Sequence, residues 1–334
     1  MSATAAEPDT SAALVTPTQF AEARERLRGA VLHTPLVRLT SVTDAVAYVK
    51  AESLQPIGSF KLRGAYNAVA QLSEAQRQRG VITYSSGNHG QGVAYAARAF
   101  GIPAVIVMPR NAPEIKRQAT RALGAQIVDV GPASSERHAR AEALGAEHGY
   151  TIIPPYDDPA IIAGQGTCGL EILADCPDVD LVLAPVGGGG LLSGVAAAIR
   201  QQRPECRVAG VEPELAGDAA ASLQQGRIVQ FTAEQTARTL ADGLRTQSLG
   251  TRNFAHIQRY VDRIVTVSEQ EIEAAMRILV FGARLVVEPS GAVATAALLF
   301  RRNQLPPHRT AIAIVSGGNA EPETLLRILG TREQ

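Results

Sequence analysis

The most informative segment of this sequence is Gly58-Ser59-Phe60-Lys61-Leu62-Arg63-Gly64-Ala65. It places a lysine among small residues, where a loop runs into a predicted helix. Glycine lets the backbone approach a ligand closely, and burial lowers the pKa of a lysine, so that its amine can attack a carbonyl group. A bare Ser-x-Lys is weak evidence because most lysines are solvated. The flanking glycines are what favour Lys61 as a covalent anchor.

Three turns rich in small residues accompany this lysine: Ser85-Ser86-Gly87-Asn88-His89-Gly90, Gly187-Gly188-Gly189-Gly190 and Ser316-Gly317-Gly318-Asn319. Each follows an apolar run that is typical of a buried strand. Ligands of open α/β sheets bind beyond the carboxyl ends of the strands, where helix N-termini offer free amides. One amine and three loops of exposed backbone suit a flat, anionic cofactor that bears an aldehyde. We therefore predict pyridoxal phosphate.

Short apolar runs alternate with helical patterns along the chain. The predicted buried strands are 81–84, 104–108, 126–130, 181–184, 207–211 and 311–315, and the predicted helices include 91–100, 113–123, 191–202 and 269–284. This alternation indicates the α/β class, with two open parallel-sheet domains, helices on both faces and the cofactor in the cleft between them. The first helix is predicted to begin with Thr16 as cap, Pro17 at its first position and Gln19 completing a capping box.

A proline-rich segment at 154–159 is the best candidate for a linker between domains. It predicts a small domain at 71–158 and a large cofactor-binding domain made of 1–70 and 159–334, in which residues 1–15 form a loose tail. A chain of 334 residues is long enough for two domains that share a cleft.

Composition and charge narrow the class of protein. The chain has 32 basic (Lys and Arg) and 32 acidic residues and is 46% hydrophobic, which indicates a globular protein and argues against a nucleic-acid partner. No apolar run approaches the roughly 20 residues that span a bilayer, so we expect no membrane association. Cys168, Cys176 and Cys206 form no CxxC pair, and the N-terminus lacks the basic region of a signal peptide. A reduced, cytoplasmic location is expected.

The tetraglycine at 187–190 has two interpretations as a phosphate site. In a phosphate nest, successive amides and the dipole of the next helix bind the anion. A dinucleotide-binding fold is the competitor, because Glu212 lies about 20 residues further on, where a ribose-binding acid would lie. However, Ser193 stands where GxGxxG requires its third glycine, and the chain has no GKS/T sequence. Both nucleotide motifs therefore fail, and the phosphate nest is the better interpretation.

Several polar residues have both a functional and a structural interpretation. Ser86 is a proton donor or a turn-former, and His89 is a helix-start residue more readily than a metal ligand. Glu212 and Asp218, with a carbonyl of the loop between them, suit Mg²⁺ or Ca²⁺. The structural alternative makes Asp218 the cap of the following helix. Arg137, taken alone, is an ordinary arginine on a helix surface.

Taken together, these motifs resemble those of the pyridoxal-phosphate serine/threonine dehydratases, a family with a tryptophan-synthase-β-like fold that includes the eukaryotic-type serine racemases. The similarity runs from His33-Thr34-Pro35-Leu36 to the turn at 316–319, and the motifs follow the family order. It implies that Lys61 is the catalytic Schiff-base lysine and that Ser86 acts on the opposite face of the cofactor. The other cofactor-binding residues that it implies are Phe60, Asn88, Gly187, Gly188, Gly189, Gly190, Leu191, Gly243 and Ser316, the last facing the pyridine nitrogen.

The same resemblance implies which residues bind the substrate and which coordinate a metal. The substrate carboxylate would bind a loop that contains Ser85, Ser86, Asn88 and His89. Arg137 matches an arginine that reaches the second carboxylate of dicarboxylic ligands. A divalent cation (Mg²⁺, Mn²⁺ or Ca²⁺) would bind at the family spacing represented by Glu212, Ala216 and Asp218.

Two departures from the animal racemases favour the bacterial dehydratases. Tyr156 stands where those racemases have asparagine, and the segment 241–246 resembles bacterial threonine dehydratases. The resemblance implies β-elimination of L-threonine or L-serine to 2-oxobutanoate or pyruvate and ammonia, in a homodimer without a C-terminal regulatory domain. Serine racemase and 3-hydroxyaspartate dehydratase are the alternative activities. A cofactor-binding protein without turnover is disfavoured because Lys61 and Ser86 are both present.

Overall fold

The computed structural model describes residues 13–42, 45–85, 87–131 and 134–330, and their strands form two sheets. The strands of the larger sheet are β1 (Leu36–Arg38), β2 (Val46–Ala51), β7 (Leu181–Pro185), β8 (Arg207–Pro213), β9 (Arg263–Val267) and β10 (Thr310–Val315). The strands of the smaller sheet are β3 (Val81–Tyr84), β4 (Ala104–Pro109), β5 (Gln126–Val130) and β6 (Thr151–Ile152).

Both sheets are built from parallel pairs. The larger sheet has the order β1-β2-β10-β7-β8-β9 and is parallel except for the β1–β2 pair. The smaller sheet has the order β5-β4-β3-β6 and is parallel throughout. Parallel neighbours need a crossover connection, usually a helix, which explains the alternation of strands and helices. The predicted α/β class with two parallel sheets is confirmed, and β1 adds an antiparallel edge.

Helices cover the two sheets. Among the described residues they are α1 (Pro17–Leu27), α2 (Lys61–Ala70), α3 (Glu74–Arg79), α4 (Asn88–Phe100), α5 (Glu114–Ala122), α6 (Ser134–His148), α7 (Pro159–Asp175), α8 (Gly190–Gln202), α9 (Asp218–Gln225), α10 (Ala233–Thr236), α11 (Thr251–Tyr260), α12 (Glu269–Phe281), α13 (Pro289–Phe300) and α14 (Pro322–Gly330). None of these helices has the length and apolar character that a membrane crossing needs.

Strand β10 lies inside the larger sheet, and its side chains alternate between two cores. Ala311, Ala313 and Val315 pack with residues of α12 and α13. Ile312 and Ile314 pack with residues of α8 and α11 on the other face. This is the period of two of a strand, and apolar residues on both faces are what a sheet covered by helices requires.

The six strands predicted from apolar runs are all present, and four others were missed. The apolar pattern does not predict strand β2 because Lys50 interrupts it, although that lysine is buried. Strand β9 lies at an edge with alternate residues partly exposed, and β1 and β6 are only three and two residues long. All strands of the smaller sheet lie within 71–158, whereas the division of the chain into domains at those positions remains a prediction.

The first helix begins as predicted. Thr16 Oγ1 accepts a hydrogen bond from the Gln19 N–H at 3.3 Å, and Gln19 Oε1 accepts one from the Thr16 N–H at 2.9 Å. The predicted loose tail at 1–15 is wrong at its end, because Val15 is buried and its N–H donates to His256 Nε2 at 2.9 Å. Residues 1–12 of that tail lie outside the described residues.

Candidate active site

Lys61 is the first residue of α2, as the sequence predicts. The loop before it pairs with the turn after β10. The Phe60 N–H donates to the Ser316 carbonyl at 3.0 Å, and the Gly318 N–H donates to the Gly58 carbonyl at 2.9 Å. Backbone hydrogen bonds therefore fix the lysine segment against the carboxyl end of β10.

The chain contains three lysines, and two of them are paired with carboxylates. Lys50 pairs with Glu171 at 2.7 Å, and Lys116 pairs with Asp242 at 2.6 Å. Lys61 has no such ion pair among the described residues, and burial lowers the pKa of its ammonium to about 8. A lysine whose pKa is lowered in this way is neutral often enough to act as a nucleophile. Lys61 is therefore the lysine suited to hold an aldehyde.

The predicted linker forms part of the wall around this lysine. Lys61 Nζ donates a hydrogen bond to the Pro155 carbonyl at 2.7 Å. A Cβ atom on Gly188 would clash with the Tyr156 ring, and one on Gly190 would lie 3.1 Å from Tyr156 Cα. Glycine is thus needed where the tetraglycine turn and the linker meet.

The tetraglycine turn joins β7 to α8 and has the properties of an anion site. Gly189 has a φ of +100°, in the left-handed region that favours glycine. The amides of the first turn of α8 have no acceptor within the helix, and the positive end of the helix dipole is here. The buried Thr246 Oγ1 has no hydrogen-bond partner among the described residues and lies 3.3 Å from where a Gly187 Cβ would be. Free amides and an unpaired hydroxyl suit a phosphate group.

The turn after β3 leads directly into α4. Ser85 Oγ accepts a hydrogen bond from the Gly87 N–H at 3.1 Å, which bends the turn, and Ser86 lies outside the described residues. Helix α4 packs closely on α2, because a Cβ on Gly92 would be 3.2 Å from the Lys61 carbonyl. The free amides at the start of α4 and the lysine at the start of α2 therefore belong to neighbouring, tightly packed helices.

His89 is buried and neutral. Its Nε2 lies 3.1 Å from the Ile153 carbonyl. A carbonyl only accepts, so Nε2 carries the proton and Nδ1 is left without one. Burial, and to a smaller degree the charge of Lys61, lower the pKa of His89 to about 3. His89 adds no positive charge to the turn, and its predicted contact with substrate stays a prediction.

The Asn88 side chain is held by two neighbours from the larger-sheet side of the molecule. Its Nδ2 donates to Glu288 Oε1 at 2.5 Å, and its Oδ1 accepts from Asn319 Nδ2 at 2.9 Å. Asn319 Nδ2 also donates to the Ile57 carbonyl at 2.8 Å. These partners fix the orientation of the amide and leave one N–H of Asn88 for a ligand, as its predicted role in cofactor binding requires.

Ser290 connects two of the predicted cofactor-binding residues. The buried Ser316 donates from its hydroxyl to the Ser290 carbonyl at 3.4 Å. The Gly243 N–H donates to Ser290 Oγ at 2.9 Å. Ser290 lies in the first turn of α13, so this helix aligns both positions.

Glu212, Ala216 and Asp218 lie close together where β8 leads through a 3-10 turn into α9. Glu212 accepts hydrogen bonds from the N–H groups of Ala219 and Ala220 at 3.0 and 2.8 Å. Glu212 therefore caps α9, and the interpretation of Asp218 as a helix cap is wrong.

The two carboxylates of this group are buried without a positive partner among the described residues. Asp218 is 1% exposed, and neither of its oxygens has a hydrogen-bond partner in the described part of the chain. Burial raises the pKa of Asp218 to about 7, and burial followed by the charge of Asp218 raises the pKa of Glu212. Such a pair requires a proton or a cation. No group of three or more His, Cys, Asp or Glu side chains suited to a metal occurs in the described residues, so backbone carbonyls and water would complete any coordination.

Arg137 lies in the first turn of α6, next to His138. The His138 ring makes an edge contact with the Tyr84 ring, with 4.8 Å between their centroids. Tyr84 ends β3, immediately before Ser85, so the start of α6 lies beside the turn predicted to bind the substrate carboxylate. Arg137 is half-buried, and burial lowers the pKa of its guanidinium. Its predicted role in binding a second carboxylate stays a prediction.

These features fit pyridoxal phosphate. Lys61 offers an amine of lowered pKa, and the start of α8 with Thr246 offers an anion site. The sequence profile of the pyridoxal-phosphate dependent enzymes matches residues 27–317. The chain belongs to this family. The match includes the lysine segment and the first two glycine-rich turns and ends at Gly317 within the third.

Relatives of this pyridoxal-phosphate dependent enzyme have several related activities. The L-threonine ammonia-lyase of Thermotoga maritima is 45% identical over 320 residues, which are 95% of this chain and 78% of the relative. The L-threo-3-hydroxyaspartate ammonia-lyase of Saccharomyces cerevisiae is 41% identical over 315 residues, 93% of this chain and 95% of the relative. The solved structure of maize serine racemase matches with a TM-score of 0.90 at 35% identity, covering 95% of this chain and 96% of that one.

The structure places residues at this enzyme's site that the sequence patterns did not reveal. Thr246 lies against the tetraglycine turn, and Glu288 holds the amide of Asn88. Glu288 belongs to no short motif, whereas Thr246 ends the segment 241–246, whose resemblance to bacterial dehydratases assigned no role to the threonine. The composition alone could have drawn attention to Lys116. Three of the 32 basic residues are lysines and the other 29 are arginines, so each lysine is a candidate for a specific role.

Proposed function

We propose that this enzyme is an ammonia-lyase that converts L-threonine into 2-oxobutanoate and ammonia, and L-serine into pyruvate and ammonia. The observation that carries the proposal is the amine of Lys61. It has no carboxylate partner among the described residues, its pKa is lowered to about 8, and it lies in a segment bonded to the Ser316 turn. The 45% identity with an L-threonine ammonia-lyase supports threonine as the substrate.

Lys61 is proposed to anchor the cofactor and to take the α-proton of the substrate. Pyridoxal phosphate, when bound, supplies a sink for the electron pair that remains when this proton leaves. With a pKa of about 8, the Lys61 amine is neutral in roughly a tenth of molecules at pH 7 and in more at higher pH, so it can act as a general base. The Pro155 carbonyl accepts a hydrogen bond from Nζ at 2.7 Å and orients the amine.

The first turn of α4 is proposed to bind the substrate carboxylate. Its amides have no acceptor within the helix, and the helix dipole is positive here. Because His89 is neutral, the attraction comes from these amides and from the dipole. A carboxylate held here lies on the side of the site where α4 packs against the Lys61 helix, which suits transfer of the neighbouring α-proton.

Ser316 is proposed to favour elimination over transamination. A hydroxyl group cannot keep a pyridine nitrogen protonated as a carboxylate would. Charge delocalisation into the ring is then weaker, and prompt loss of the β-hydroxyl group is favoured. The hydrogen bond from Ser316 to the Ser290 carbonyl holds the hydroxyl in the buried position that this role needs.

The test of this function is a substrate panel. Purified holoenzyme is incubated separately with L-threonine, L-serine, D-serine and L-threo-3-hydroxyaspartate, and keto acid, ammonia and the chirality of the remaining amino acid are measured together. We expect equal amounts of keto acid and ammonia from L-threonine and L-serine. Racemisation without keto acid, or turnover of the dicarboxylic substrate alone, would contradict the proposal.

A 3-hydroxyaspartate ammonia-lyase is the second candidate, and Arg137 is the observation that favours it. This half-buried arginine lies at the start of α6, beside the end of β3, where a second carboxylate could reach it. A relative with that activity is 41% identical. The substrate panel separates this candidate from the first, since it predicts a much higher kcat/KM for the dicarboxylic substrate than for L-threonine.

Ser86→Ala is expected to separate the two faces of the reaction. Racemisation needs a proton donor on each face of the planar intermediate, and Ser86 is the residue that we assign to the face opposite Lys61. D-serine formation should fall about 10²–10⁴-fold, the range for one lost acid–base group, while L-threonine deamination falls much less. Rates for both enantiomers of serine in wild type and variant check this. Equal loss for L- and D-substrates would leave Ser86 as a binding residue only.

We further propose that Glu212, Asp218 and the Ala216 carbonyl bind Mg²⁺, Mn²⁺ or Ca²⁺. The support is the pair of buried carboxylates, of which Asp218 has no hydrogen-bond partner among the described residues. The pKa of Asp218 is about 7 in the fold against an ordinary 3.8. The folded state therefore retains a proton that the unfolded chain has released, and the stability of the cation-free protein falls as pH rises between these values.

A cation competes with that proton, so its stabilising effect is expected to grow over the same window. After chelation, added Mg²⁺ should raise the melting temperature more at pH about 8 than at pH about 5. Asp218→Asn removes one ligand and the buried charge, and should abolish the Mg²⁺ effect. A melting temperature that neither chelator nor Mg²⁺ changes at either pH would show that no cation binds.

The assembly, location and domain division are proposed as follows. We expect a homodimer, which light scattering on purified protein tests. Cys168, Cys176 and Cys206 are free thiols, which suits a reducing cytoplasm. The smaller sheet with its helices, at 71–158, is proposed to be the small domain.

A further inference from the structure

Lys116 connects the two sheets beside the active site. It lies on α5, the helix that connects β4 to β5 of the smaller sheet, and its side chain is 3% exposed. Its Nζ is 2.6 Å from Asp242 Oδ2 and 3.2 Å from Glu288 Oε2. Both carboxylates belong to elements of the larger-sheet side, since Asp242 begins a 3-10 turn after α10 and Glu288 precedes α13.

The stem of Lys116 lies directly behind the turn that we propose binds the substrate carboxylate. A Cβ on Gly87 would be 2.7 Å from Lys116 Cδ, so the turn and the lysine stem are in close contact. A change in the position of Lys116 must therefore be transmitted to this turn, because packed atoms leave no room for independent movement.

Lys116 also favours the ionised form of the carboxylate that holds Asn88. Glu288 is 2% exposed, and burial raises its pKa, while the Lys116 ammonium opposes this increase. An ionised carboxylate only accepts hydrogen bonds, so it fixes Asn88 with Nδ2 toward Glu288 and Oδ1 toward Asn319. Without Lys116 the buried Glu288 would bind a proton more readily and could then donate, which removes the constraint on the amide.

We propose that Lys116 is a positioning residue, which holds the segment 87–91 and the Asn88 amide in the arrangement that binds substrate. The inference rests on the proposed function for the identity of that substrate. Lys61 contacts the Pro155 carbonyl and not Lys116, so proton transfer at Lys61 does not depend directly on Lys116. Loss of the Lys116 ammonium should therefore weaken substrate binding more than it slows the chemical step.

The test uses Lys116→Met in the holoenzyme, because methionine keeps an unbranched stem against Gly87 and removes the charge. We expect the KM for L-threonine to rise about tenfold or more, while kcat changes by less than about threefold. Hydrogen exchange of the amides at 85–91, measured by mass spectrometry with and without cofactor, should become about tenfold faster. The control is Arg117→Met on the same helix. The Arg117 guanidinium pairs at 2.7 Å with Asp129 inside the smaller-sheet region, so this variant also removes a paired cation from α5.

Five outcomes decide the proposal. Faster exchange and a higher KM in Lys116→Met alone support it. Equal effects in the control indicate general destabilisation and overturn it, as do unchanged exchange and KM. If Lys116→Met does not fold, Asp242→Asn removes one partner at a side chain that is 27% exposed, and must shift both measurements in the same direction. If wild type does not turn over L-threonine, the proposed function fails, and the exchange comparison still tests the positioning role.

Discussion

Lys61→Ala should lose deamination of L-threonine by about 10⁴-fold or more in kcat/KM. A positioned acid–base group contributes about 10²–10⁴-fold, and this residue is also the proposed anchor of the cofactor. Its amine has a pKa of about 8 because its desolvation is not offset by a carboxylate partner among the described residues. No second lysine can replace it, since Lys50 and Lys116 are held by carboxylates. Steady-state kinetics with the purified variant measures the loss.

Reduction with borohydride locates the anchor independently of activity. With three lysines in the chain, a peptide map that detects the reduced cofactor has three candidate sites. The wild type should be labelled at Lys61 and neither at Lys50 nor at Lys116. Lys61→Arg is the matched control, because it keeps a positive charge at the start of α2 and should remain folded and unlabelled. A label on another lysine, or turnover by Lys61→Ala, would refute the assignment.

The fold was predictable where burial leaves a direct mark on the sequence. Strands β7 and β10 are buried on both faces and read as continuous apolar runs, and the turns after them contain glycine because backbone approaches backbone there. Strand β2 was missed because Lys50, although buried, is neutralised by Glu171 from α7. That pairing joins residues far apart in the chain, and a local apolar pattern cannot contain it.

In the candidate site too, local motifs were predictable from the sequence and long-range contacts were not. Lys61, the tetraglycine and Ser316 belong to short motifs at strand ends, so their meeting follows from parallel topology. The residues that orient these side chains do not belong to such motifs. Glu288, which fixes Asn88, lies 200 positions away in sequence, and Glu212 replaces Asp218 as the cap of α9 through hydrogen bonds that the spacing alone leaves undetermined. Residues that act by orienting other residues are thus identified only in the three-dimensional structure.

Gly189→Ala should weaken binding of pyridoxal phosphate to the cofactor-free protein by about 100-fold, which corresponds to ~2.7 kcal/mol. Gly189 has a φ of +100°, which costs an L-residue with a side chain about 1–2 kcal/mol. The added Cβ would also lie 2.8 Å from Asn253 Cβ and 3.0 Å from Leu249 Cδ2. Relief of both contacts displaces the turn at the start of α8, and its amides then no longer converge on the phosphate. Titration of the cofactor-free protein by absorbance measures the affinity.

The matched control separates damage to the phosphate site from backbone strain. Gly124 has a φ of +87°, and a Cβ there would meet no atom within 4 Å. Gly124→Ala should therefore lose stability through strain alone and bind the cofactor as wild type does. Thermal melting of both cofactor-free variants reports the strain, and the titration reports the site. If the two alanine variants bind the cofactor equally well, the amides of this turn do not hold its phosphate, and Thr246 with other groups must do so.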